Sequence, residues 1–499
     1  MCQLSSRPLP IGERAGVRGA IAGTSNHSHP PRSPPHRRLQ SPTSPRWPII
    51  TPMSICTVHP LPYRTNPADY FAPIRHAPGA VLLDSARPVA ERGRYDLISA
   101  WPLEDLTVAA GESGADYLQR LRACLQRLGR AELPAGLELP FTGGLIGYLS
   151  YDFGRRLEHL PRHAIDDLGL PDAHLGLYAW ALISDHANAT SQLVFHPHLA
   201  DSERQHLIQL FEQPASTPAA AFHLTTPVTT DISADDYRQA FERIQQYIHA
   251  GDCYQINLTQ RFRAQCQGDP WAAYAALRNA CPTPFSGFQY LADGSAVLSF
   301  SPERFICVHD NQVETRPIKG TRPRGRDAAE DAAFAAELLA SNKDRSENLM
   351  IVDLLRNDLG RSCKTGSVKV PELFSLESYP NVHHMVSSIT GELAPDKDAL
   401  DLIAGSFPGG SITGAPKIRA MQIIDELEPS RRALYCGSLL YVDVRGQMDS
   451  SIAIRSLLVK DDQVSCWGGG AIVADSNWQA EYEESITKVK VLLDTLQQL

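Results

Sequence analysis

Lys319 lies in the segment RPIKGTRPR (316–324), between a Pro-Ile step and a Gly-Thr step. Proline fixes one backbone angle and glycine permits tight conformations, so these neighbours predict a fixed backbone around a flexible cation. A surface lysine needs no such setting, but a lysine that acts as a point charge or as a nucleophile does. Lys319 is therefore the first candidate for chemistry.

Glutamates in two predicted helices could bind a metal ion. Glu347 lies in the first turns of KDRSENLMIVDLLRNDLG, whose apolar residues leave almost no polar face, so we expect a buried helix. In the last predicted helix, Glu481, Glu484 and Lys488 share one face. An ordinary Glu–Lys pair, worth about 0.2–0.5 kcal/mol, explains Glu484 and Lys488 on spacing alone. If Glu347 and Glu484 converge, they suit Mg²⁺, which takes one or two carboxylates plus water and an anionic substrate.

Two glycine-rich stretches do not match nucleotide-binding motifs. FPGGSITGAPK (407–417) lacks the Gly-Lys-Ser/Thr of a phosphate loop, and CWGGGAIVADS (466–476) is not a GxGxxG fingerprint. Both can still offer backbone N–H groups to a carboxylate. Arg455 interrupts the apolar run SSIAIRSLL. It is either one half of an inward ion pair or a bidentate clamp for a substrate carboxylate.

A mixture of strands and helices must position these residues. Short apolar runs such as GAVLLDS (79–85) alternate with turns, and ADYLQRLRACLQRLG (115–129) has helical spacing. After a linker or crossing strand at 212–231, Ser233 is predicted to cap a helix that Gly251 ends. The pattern predicts an α+β fold and not a repeated strand–helix–strand unit.

The first 52 residues differ in composition from the rest of the chain. They hold seven arginines, one glutamate and many prolines, which predicts a disordered leader and makes Met53 a candidate natural start. Of 47 basic and 56 acidic residues in the chain, the part after residue 52 keeps 40 and 55, which argues against nucleic-acid binding.

The lengths of the apolar runs and the positions of the cysteines argue against a membrane protein and against disulfides. No apolar run approaches the roughly 18 residues that a membrane helix needs. The ten cysteines are scattered, and none forms a CxxC motif. We therefore expect neither a zinc knuckle nor a disulfide framework, and a reducing, cytoplasmic location.

Seven motifs, in order, resemble those of the chorismate-utilising enzymes. They are SPERF, RPIKGT, SENLMIVDLLRNDLGR, PNVHHMVSSITG, FPGGSITGAPKIRAM, SIAIRS and AEYEESITKVK. A weaker resemblance runs from GAVLLDS to GGLIGYLSYDFGRRLE. The resemblance implies an N-terminal region over 53–225 and a chorismate-binding catalytic region over 232–499. It also implies a large antiparallel β-sandwich flanked by helices, with the site between the two layers.

The resemblance further implies a role for each candidate site residue. Glu347 and Glu484 resemble Mg²⁺ ligands that hold the ring carboxylate of chorismate. Glu303 of SPERF resembles the acid that protonates the departing C4 hydroxyl, a group that leaves poorly without a proton. The predicted substrate contacts are Thr321, His384, Tyr435, Arg455, Gly469 and Lys488.

Two positions discriminate among members of the family. Water-using members carry a base lysine where this chain has Gln255, which cannot deprotonate water, so ammonia is favoured. Anthranilate-forming members read PIAGT, where this chain has Lys319. In the members that aminate C4, this lysine attacks C2 of chorismate to give a covalent adduct, and ammonia then adds at C4. The expected product is 4-amino-4-deoxychorismate, the precursor of 4-aminobenzoate and folate.

Three alternatives stay open on the sequence. Lys319 could be the counter-ion of a substrate carboxylate and not a nucleophile. The chain could be an anthranilate-forming member, although Lys319 speaks against it. It could also be a non-catalytic subunit that binds tryptophan or chorismate, although such a binder needs neither an acid nor a nucleophile.

The resemblance implies two partners besides chorismate. No GxCxG nucleophile segment of a glutaminase is present, so ammonia is expected from a separate glutamine amidotransferase subunit. Leu83, Asp84 and Ser85 lie where relatives carry a tryptophan pocket, which mediates feedback inhibition in some members and holds tryptophan structurally in others. This chain reads LLDS there, where the inhibited members read LLES.

Overall fold

Two antiparallel sheets contain most of the strands, and the side chains between the sheets form the core. The computed structural model describes residues 54–87, 93–212, 218–379 and 382–499, which belong to one compact unit, Ile49–Leu499. The predicted leader and Met53 lie outside the described residues.

The helices of the described ranges are α1 (Ala68–Phe71), α2 (Gly114–Leu128), α3 (Gly154–Leu157), α4 (Asp201–Glu212), α5 (Ala234–Ala250), α6 (Pro270–Ala280), α7 (Ala328–Ala340), α8 (Asn342–Gly360), α9 (Ala399–Ser406), α10 (Lys417–Leu427) and α11 (Trp478–Leu496). Short 3₁₀ turns occur at Ala72–Ile74, Tyr151–Phe153 and Gly410–Ile412.

The strands of the same ranges are β1 (Ser54–Ile55), β2 (Thr57–Leu61), β3 (Val81–Asp84), β4 (Tyr95–Ser99), β5 (Glu104–Thr107), β6 (Ala131–Glu132), β7 (Gly144–Leu149), β8 (Ala173–Tyr178), β9 (Trp180–Asp185), β10 (Thr190–Phe195), β11 (His223–Leu224), β12 (Thr229–Thr230), β13 (Gln255–Gln267), β14 (Phe285–Tyr290), β15 (Ala296–Ser301), β16 (Arg304–His309), β17 (Gln312–Thr315), β18 (Ile318–Pro323), β19 (Lys369–Ser378), β20 (Val382–Glu392), β21 (Gly414–Ala415), β22 (Ser438–Asp443), β23 (Met448–Ser451), β24 (Ser456–Lys460) and β25 (Gln463–Ile472).

Both large sheets combine strands from the two predicted regions. In the described chain the larger sheet has 13 strands, in the order β11-β13-β25-β24-β15-β14-β3-β4-β9-β10-β2, with β12 and β21 beside β13. The smaller has 10, in the order β18-β20-β17-β16-β23-β22-β7-β8-β5, with β19 beside β20. Neighbouring strands in both are antiparallel. The N-terminal strands join the later ones at the β3–β14 and β7–β22 pairs.

The two sheets pack face to face as a sandwich. Apolar side chains from both sheets, such as Leu82 on β3 and Leu145 on β7, belong to one buried cluster. Gly287 on β14 lies directly against β22, because a Cβ atom there would come within 2.5 Å of Leu439 Cδ2. Helices complete the structure, so the expected α+β fold with large antiparallel sheets is confirmed.

Local sequence signals locate the ends of the helices well, but the predicted burial of α8 was wrong. Ser233 and Asp236 form a reciprocal capping box at the start of α5, and Gly251 ends this helix with φ +81°. Helix α8 is not buried all round as expected, because Ile351 is fully buried but Leu349 is 47% exposed. The reason is that α8 packs one face against β18 and β20 and leaves the other to solvent.

The predicted linker at 212–231 contributes strands where it is described. Both β11 and β12 pair with β13 at the edge of the larger sheet. This part of the segment is therefore a crossing strand, and residues 213–217 lie outside the described ranges.

Candidate active site

Lys319 lies on β18 in the fixed backbone that its neighbours predict. Gly320 has φ +82°, and a Cβ atom there would lie 2.8 Å from Leu338 Cδ1 and 2.9 Å from Asp344 Cγ. Only glycine combines that backbone angle with so close an approach to α7 and α8. Lys319 Nζ donates a hydrogen bond to the carbonyl oxygen of Ser411 at 3.1 Å. The lysine is thereby directed to residues 409–415, between α9 and α10, which we call the 409–415 segment.

Glu303 reaches the same serine from the turn between β15 and β16. It is 6% exposed, and the Ser411 side chain and the Ile318 N–H lie close enough to its carboxyl group to act on its pKa, each lowering it. Burial raises the pKa of Glu303, although the charge of Lys319 acts in the opposite direction. A carboxyl group whose protonated form is favoured in this way is suited to donate a proton. Ser411 therefore contacts both the candidate nucleophile and the candidate acid.

The surroundings of Lys319 favour its neutral amine. Burial lowers the pKa of Lys319, and the positive charge of Lys488 acts in the same direction, while Glu347 and Glu303 oppose them. More of the amine is neutral near physiological pH than in an exposed lysine. A neutral amine has the free electron pair that a nucleophile requires.

Glu347 projects from α8 beside a lysine of the same helix. Its side chain is 13% exposed, and Lys343 Nζ lies 3.9 Å from its Oε1. The same ammonium group lies 3.4 Å from Glu481 Oε1 on α11. Burial raises the pKa of Glu347, against the influence of Lys319 and Lys343. Lys343 thus lies between carboxylates of two helices.

Helix α11 presents its acidic face to β25. Glu484 Oε1 and Lys488 Nζ form the predicted helix pair at 2.6 Å, and Lys488 also donates to the Gly469 carbonyl at 3.0 Å. Burial acts against ionisation of Glu484, but the charge and hydrogen bond of Lys488 together with the charges of Lys343 and Lys319 outweigh it, so the pKa of Glu484 is lowered. A Cβ atom on Gly470 would lie 3.2 Å from Glu481 Oε2 and 3.7 Å from Glu484 Oε1, so these carboxylates stand over one point of the strand.

The carboxylates from α8 and α11 converge on one site. Glu347 and Glu484 both act electrostatically on the amine of Lys319. Within the described ranges no group of three or more His, Cys, Asp or Glu residues has a metal-binding arrangement. Mg²⁺ needs only one or two carboxylates, however, and the cluster already holds a cation, the Lys343 ammonium. Carboxylate oxygens of this kind suit a hard cation, and the cation present, the Lys343 ammonium, contacts Glu347 and Glu481, a carboxylate that the sequence analysis placed on the face of Glu484 but did not predict as a ligand.

Arg455 and His384 form the other side of the candidate site. Arg455 has φ +51°, and no carboxylate of the described residues pairs with its guanidinium, so the inward ion pair is not observed there. Burial, reinforced by the charge of Arg455, lowers the pKa of His384 to about 4. The Thr321 hydroxyl lies 2.8 Å from His384 Nδ1. At neutral pH, a neutral imidazole and an unpaired guanidinium therefore face this region.

Tyr435 and Gly469 lie on elements adjacent to Arg455. The Tyr435 ring stacks on Trp467 of β25, with 6.2 Å between centroids and an 8° angle between planes. The N–H of Cys436, next in the chain, donates to the Ala453 carbonyl at 2.8 Å. The tyrosine is thereby tied to the turn that carries Arg455 and to the strand that carries Gly469.

Gln255 begins β13 with a buried amide. Its side chain is fully buried, and neither Oε1 nor Nε2 has a hydrogen-bond partner within the described residues. Its main chain is paired with Ala415 at the end of the 409–415 segment. An unpaired buried amide is unfavourable, so the amide needs a partner that the described residues do not supply.

The predicted tryptophan pocket lies at a cavity separate from this cluster. The cavity has a volume of about 680 Å³, and its lining includes Leu83, Asp84, Leu137 and Tyr441 but no residue of the Lys319 cluster. Asp84 is already engaged, since Arg278 donates two hydrogen bonds to it, at 2.6 and 3.1 Å. The Ser85 hydroxyl does not line the cavity and donates instead to Asp96 at 2.8 Å. Leu83 and Asp84 are therefore the only two of the three predicted residues at the cavity wall.

Comparisons with known proteins show which family and which relatives this chain resembles. A family model for chorismate binding enzymes matches residues 80–494. The chain is 46% identical to aminodeoxychorismate synthase component 1 of Salmonella typhimurium strain LT2 over 453 residues, covering 88% of this chain and 98% of the relative. It is 37% identical to anthranilate synthase component 1 of Mycolicibacterium smegmatis over 451 residues, with 84% and 86% covered. The crystal structure of anthranilate synthase component I from Streptococcus pneumoniae superposes with a TM-score of 0.70 at 30% identity, covering 80% of this chain and 92% of that one.

Proposed function

The chain belongs to the chorismate binding enzyme family, and from this premise we propose that it converts chorismate and ammonia into 4-amino-4-deoxychorismate. The observation that carries the proposal is the meeting of Lys319 and Glu303 at Ser411. A nucleophile and an acid held on one residue suit a substitution in which one group attacks while another leaves. The anthranilate synthase relative is more distant in sequence than the aminodeoxychorismate synthase relative, in agreement with this choice.

The first step forms a covalent adduct on Lys319. Its neutral amine attacks C2 of chorismate, both ring double bonds shift by one position, and the C4–oxygen bond breaks. Glu303 donates its proton to the departing oxygen, which leaves as water. The lowered pKa of Lys319 and the raised pKa of Glu303 both favour the protonation states that this step requires.

The second step releases the lysine. Ammonia attacks C4, both ring double bonds shift back, and the C2–nitrogen bond breaks with its electron pair returning to Lys319. Glu303, now ionised, takes one proton from the new ammonium group and regains its starting form. Because Lys319 occupies C2 during this step, ammonia is directed to C4.

The acidic and basic groups around the ring hold the substrate. Glu347 and Glu484 would hold Mg²⁺, which supplies positive charge for the ring carboxylate of chorismate. Arg455, with Tyr435 and the backbone near Gly469, would bind the enolpyruvyl carboxylate, the role to which a guanidinium without a carboxylate partner is suited. Thr321, His384 and Lys488 would line the ring.

Ammonia is supplied by a second protein in this proposal. The relative's name, component 1, implies a further component, and we propose a glutamine amidotransferase subunit. Gln255, with its unpaired buried amide, is the proposed ammonia-binding group. The nine cysteines of the described ranges are free, which supports a reducing compartment, and we propose the cytoplasm. In the described residues no helix is long and apolar enough to cross a membrane.

We further propose tryptophan as the occupant of the cavity beside Leu83 and Asp84. The cavity is larger than one indole side chain and is lined by apolar and polar groups. Asp84 would support its wall through Arg278 and would not itself bind the amino acid, since its oxygens are already engaged.

Product analysis of the purified chain with chorismate, Mg²⁺ and ammonium tests the main proposal. We expect 4-amino-4-deoxychorismate from the natural sequence and a nearly complete loss of this product in Lys319→Ala. The matched variant is Lys319→Arg, which keeps a positive charge but offers no neutral amine. A nucleophilic lysine predicts that both variants fail, whereas a mere counter-ion predicts that Lys319→Arg remains active.

Two other outcomes would contradict the proposal. Anthranilate as the product of the natural sequence would show an anthranilate-forming enzyme. Absence of turnover, even with an amidotransferase subunit and glutamine added, would leave a binding subunit as the remaining function.

A further inference from the structure

Arg432 is a fully buried cation that is not among the predicted substrate contacts, although its carbonyl accepts a hydrogen bond from the Tyr435 N–H at 3.0 Å. It is 1% exposed, and its guanidinium donates two hydrogen bonds to Glu428, at 2.8 and 2.6 Å. A buried ion pair is costly to desolvate and is often no more stable than apolar side chains of the same volume. The presence of this ion pair in the predicted catalytic region therefore needs an explanation other than stability.

The remaining donors of Arg432 bind two backbone carbonyls. One nitrogen donates to the Ile412 carbonyl at 2.9 Å, and another to the Asn257 carbonyl at 2.5 Å. Glu428 is fixed in turn, because Thr259 donates to its Oε1 from the backbone N–H at 3.0 Å and from the hydroxyl at 2.9 Å. The guanidinium thus joins the 409–415 segment to β13 through a pair that is itself anchored on β13.

The 409–415 segment is held against β13 on its other side as well. Asn257 N–H donates to the Thr413 carbonyl at 2.9 Å, so Asn257 both supports Arg432 and binds the segment directly. Gly414 has φ +146°, and a Cβ atom there would lie 2.1 Å from the Gln255 carbonyl oxygen. The residue between these fixed points and the active site is Ser411, which contacts Lys319 and Glu303.

We infer that Arg432 and Glu428 are a positioning pair for the reaction. Their hydrogen bonds hold the Ile412 carbonyl on β13 and so set where Ser411 presents its carbonyl to Lys319 and its hydroxyl to Glu303. Neither residue touches the substrate. The inference rests on the proposed function, because it assigns the pair to the placement of the nucleophile and the acid.

A lysine at position 432 cannot perform this task. It keeps the charge that Glu428 requires, but its single ammonium group cannot reach Glu428, Ile412 and Asn257 in the planar geometry of a guanidinium. If Ser411 moves, Lys319 covers C2 less completely. Ammonia then attacks C2 in some turnovers, water leaves from C4, and a C2-aminated product accompanies the C4-aminated one.

The test measures the ratio of C4-aminated to C2-aminated product in Arg432→Lys, with chorismate, Mg²⁺ and ammonium. A product ratio does not depend on the fraction of protein that is folded, so a purely structural defect leaves it unchanged. We expect the ratio to fall about tenfold, which corresponds to about 1.4 kcal/mol between the two transition states. We also expect kcat to fall about 10- to 100-fold, as for a misplacement near 1 Å, with little change in KM for chorismate.

Two further variants make the test decisive. Glu428→Gln leaves Arg432 in place and weakens its anchor, so it should change the ratio in the same direction and carries the test if Arg432→Lys does not fold. Arg261→Lys is the matched control. Arg261 lies on β13 and, like Arg432, is a buried arginine, but it binds Asp167 and Asp231 and not the 409–415 segment. This control variant should lower thermal stability without altering the ratio.

The outcomes separate this inference from the proposed function. An unchanged product ratio and kcat in folded Arg432→Lys and Glu428→Gln would overturn the positioning role while the natural enzyme still made the C4 product. An equal change in Arg261→Lys would also overturn it. Failure of the natural enzyme to make the C4 product would instead overturn the proposed function.

Discussion

Lys319 and Glu347 could be selected from residue type and immediate neighbours, whereas Glu303 was predicted only through the resemblance of its SPERF motif to the family. Ser411 could not be selected in this way. It lies in a stretch that resembles a phosphate loop only superficially, and its contact with Lys319, 92 residues away in the chain, joins a 3₁₀ turn to a strand of the smaller sheet. Lys343 was missed for a similar reason, since its contact with Glu481 joins two helices. Spacing along one helix revealed the Glu484–Lys488 pair but not the cluster to which it belongs.

The pH dependence of kcat should reflect Lys319 and Glu303. Activity requires neutral Lys319, whose fraction rises with pH, and protonated Glu303, whose fraction falls with pH. The lowered pKa of the first and the raised pKa of the second shift both limbs toward neutrality, so a bell-shaped profile is expected. Glu303→Gln should lower kcat by about 10²- to 10⁴-fold and remove the falling limb. A falling limb that persists in the residual activity of this variant would exclude Glu303 as the acid.

At the scale of elements, helix ends were predictable and strand partners were not. Ser233 and Gly251 mark the limits of α5 through local hydrogen bonds and backbone angles. The pairing of β7 with β22 depends on residues nearly 300 positions apart, which no local pattern encodes. The burial of α8 was overestimated because its composition does not reveal that a single sheet face covers it. The most consequential contact between elements is that of α8 with α11, at the acidic cluster.

Lys343 should compete with Mg²⁺ for that cluster. Its ammonium group lies between Glu347 and Glu481, where it already neutralises the charge that would attract a metal ion. Calorimetric titration of Lys343→Met with Mg²⁺, without chorismate, should show about tenfold tighter binding. This is well below the ~4 kcal/mol of two charges 4 Å apart near a surface, because the lysine is 54% exposed and solvent screens it.

The matched control is Lys490→Met. Lys490 lies on α11 and pairs with Asp494 in the same helix, away from the cluster. Equal Mg²⁺ affinity in the natural protein and in Lys343→Met would mean that the lysine and the metal do not share the carboxylates.

At the scale of the whole molecule, the main feature is a two-layer sandwich that holds the Lys319 cluster and the cavity beside Leu83 at separate places. The α+β class and the two-layer arrangement were expected and are observed, since the motifs and the strand-rich pattern point to one fold. The cavity of about 680 Å³ between strands of the two sheets was not predictable in shape or volume, because its wall combines loops far apart in sequence. It lies apart from the Lys319 cluster, so a ligand there can act only through the protein.

Tryptophan should stabilise the whole chain through this cavity. At about 100 times its Kd, a ligand that binds only the folded state adds about 2.7 kcal/mol to the free energy of unfolding. Thermal unfolding with and without tryptophan should therefore show a higher Tm with the ligand. Leu137→Trp places an indole at the cavity wall and should abolish the increase. No increase in the natural protein, or the same increase in Leu137→Trp, would argue against tryptophan at this position.

The β3–β14 and β7–β22 pairs join strands far apart in the sequence, and this has a consequence for synthesis of the protein on the ribosome. While only the first half of the chain has been translated, β3 and β7 lack their partners β14 and β22 and present open strand edges. Pairings of such sequence separation close slowly, so nascent chains are exposed to aggregation and depend on chaperones. Helix α11 is the last helix of the described chain and carries Glu484 and Lys488. A truncated chain that ends before α11 therefore lacks Glu484 and Lys488, and under the proposed mechanism it would be inactive.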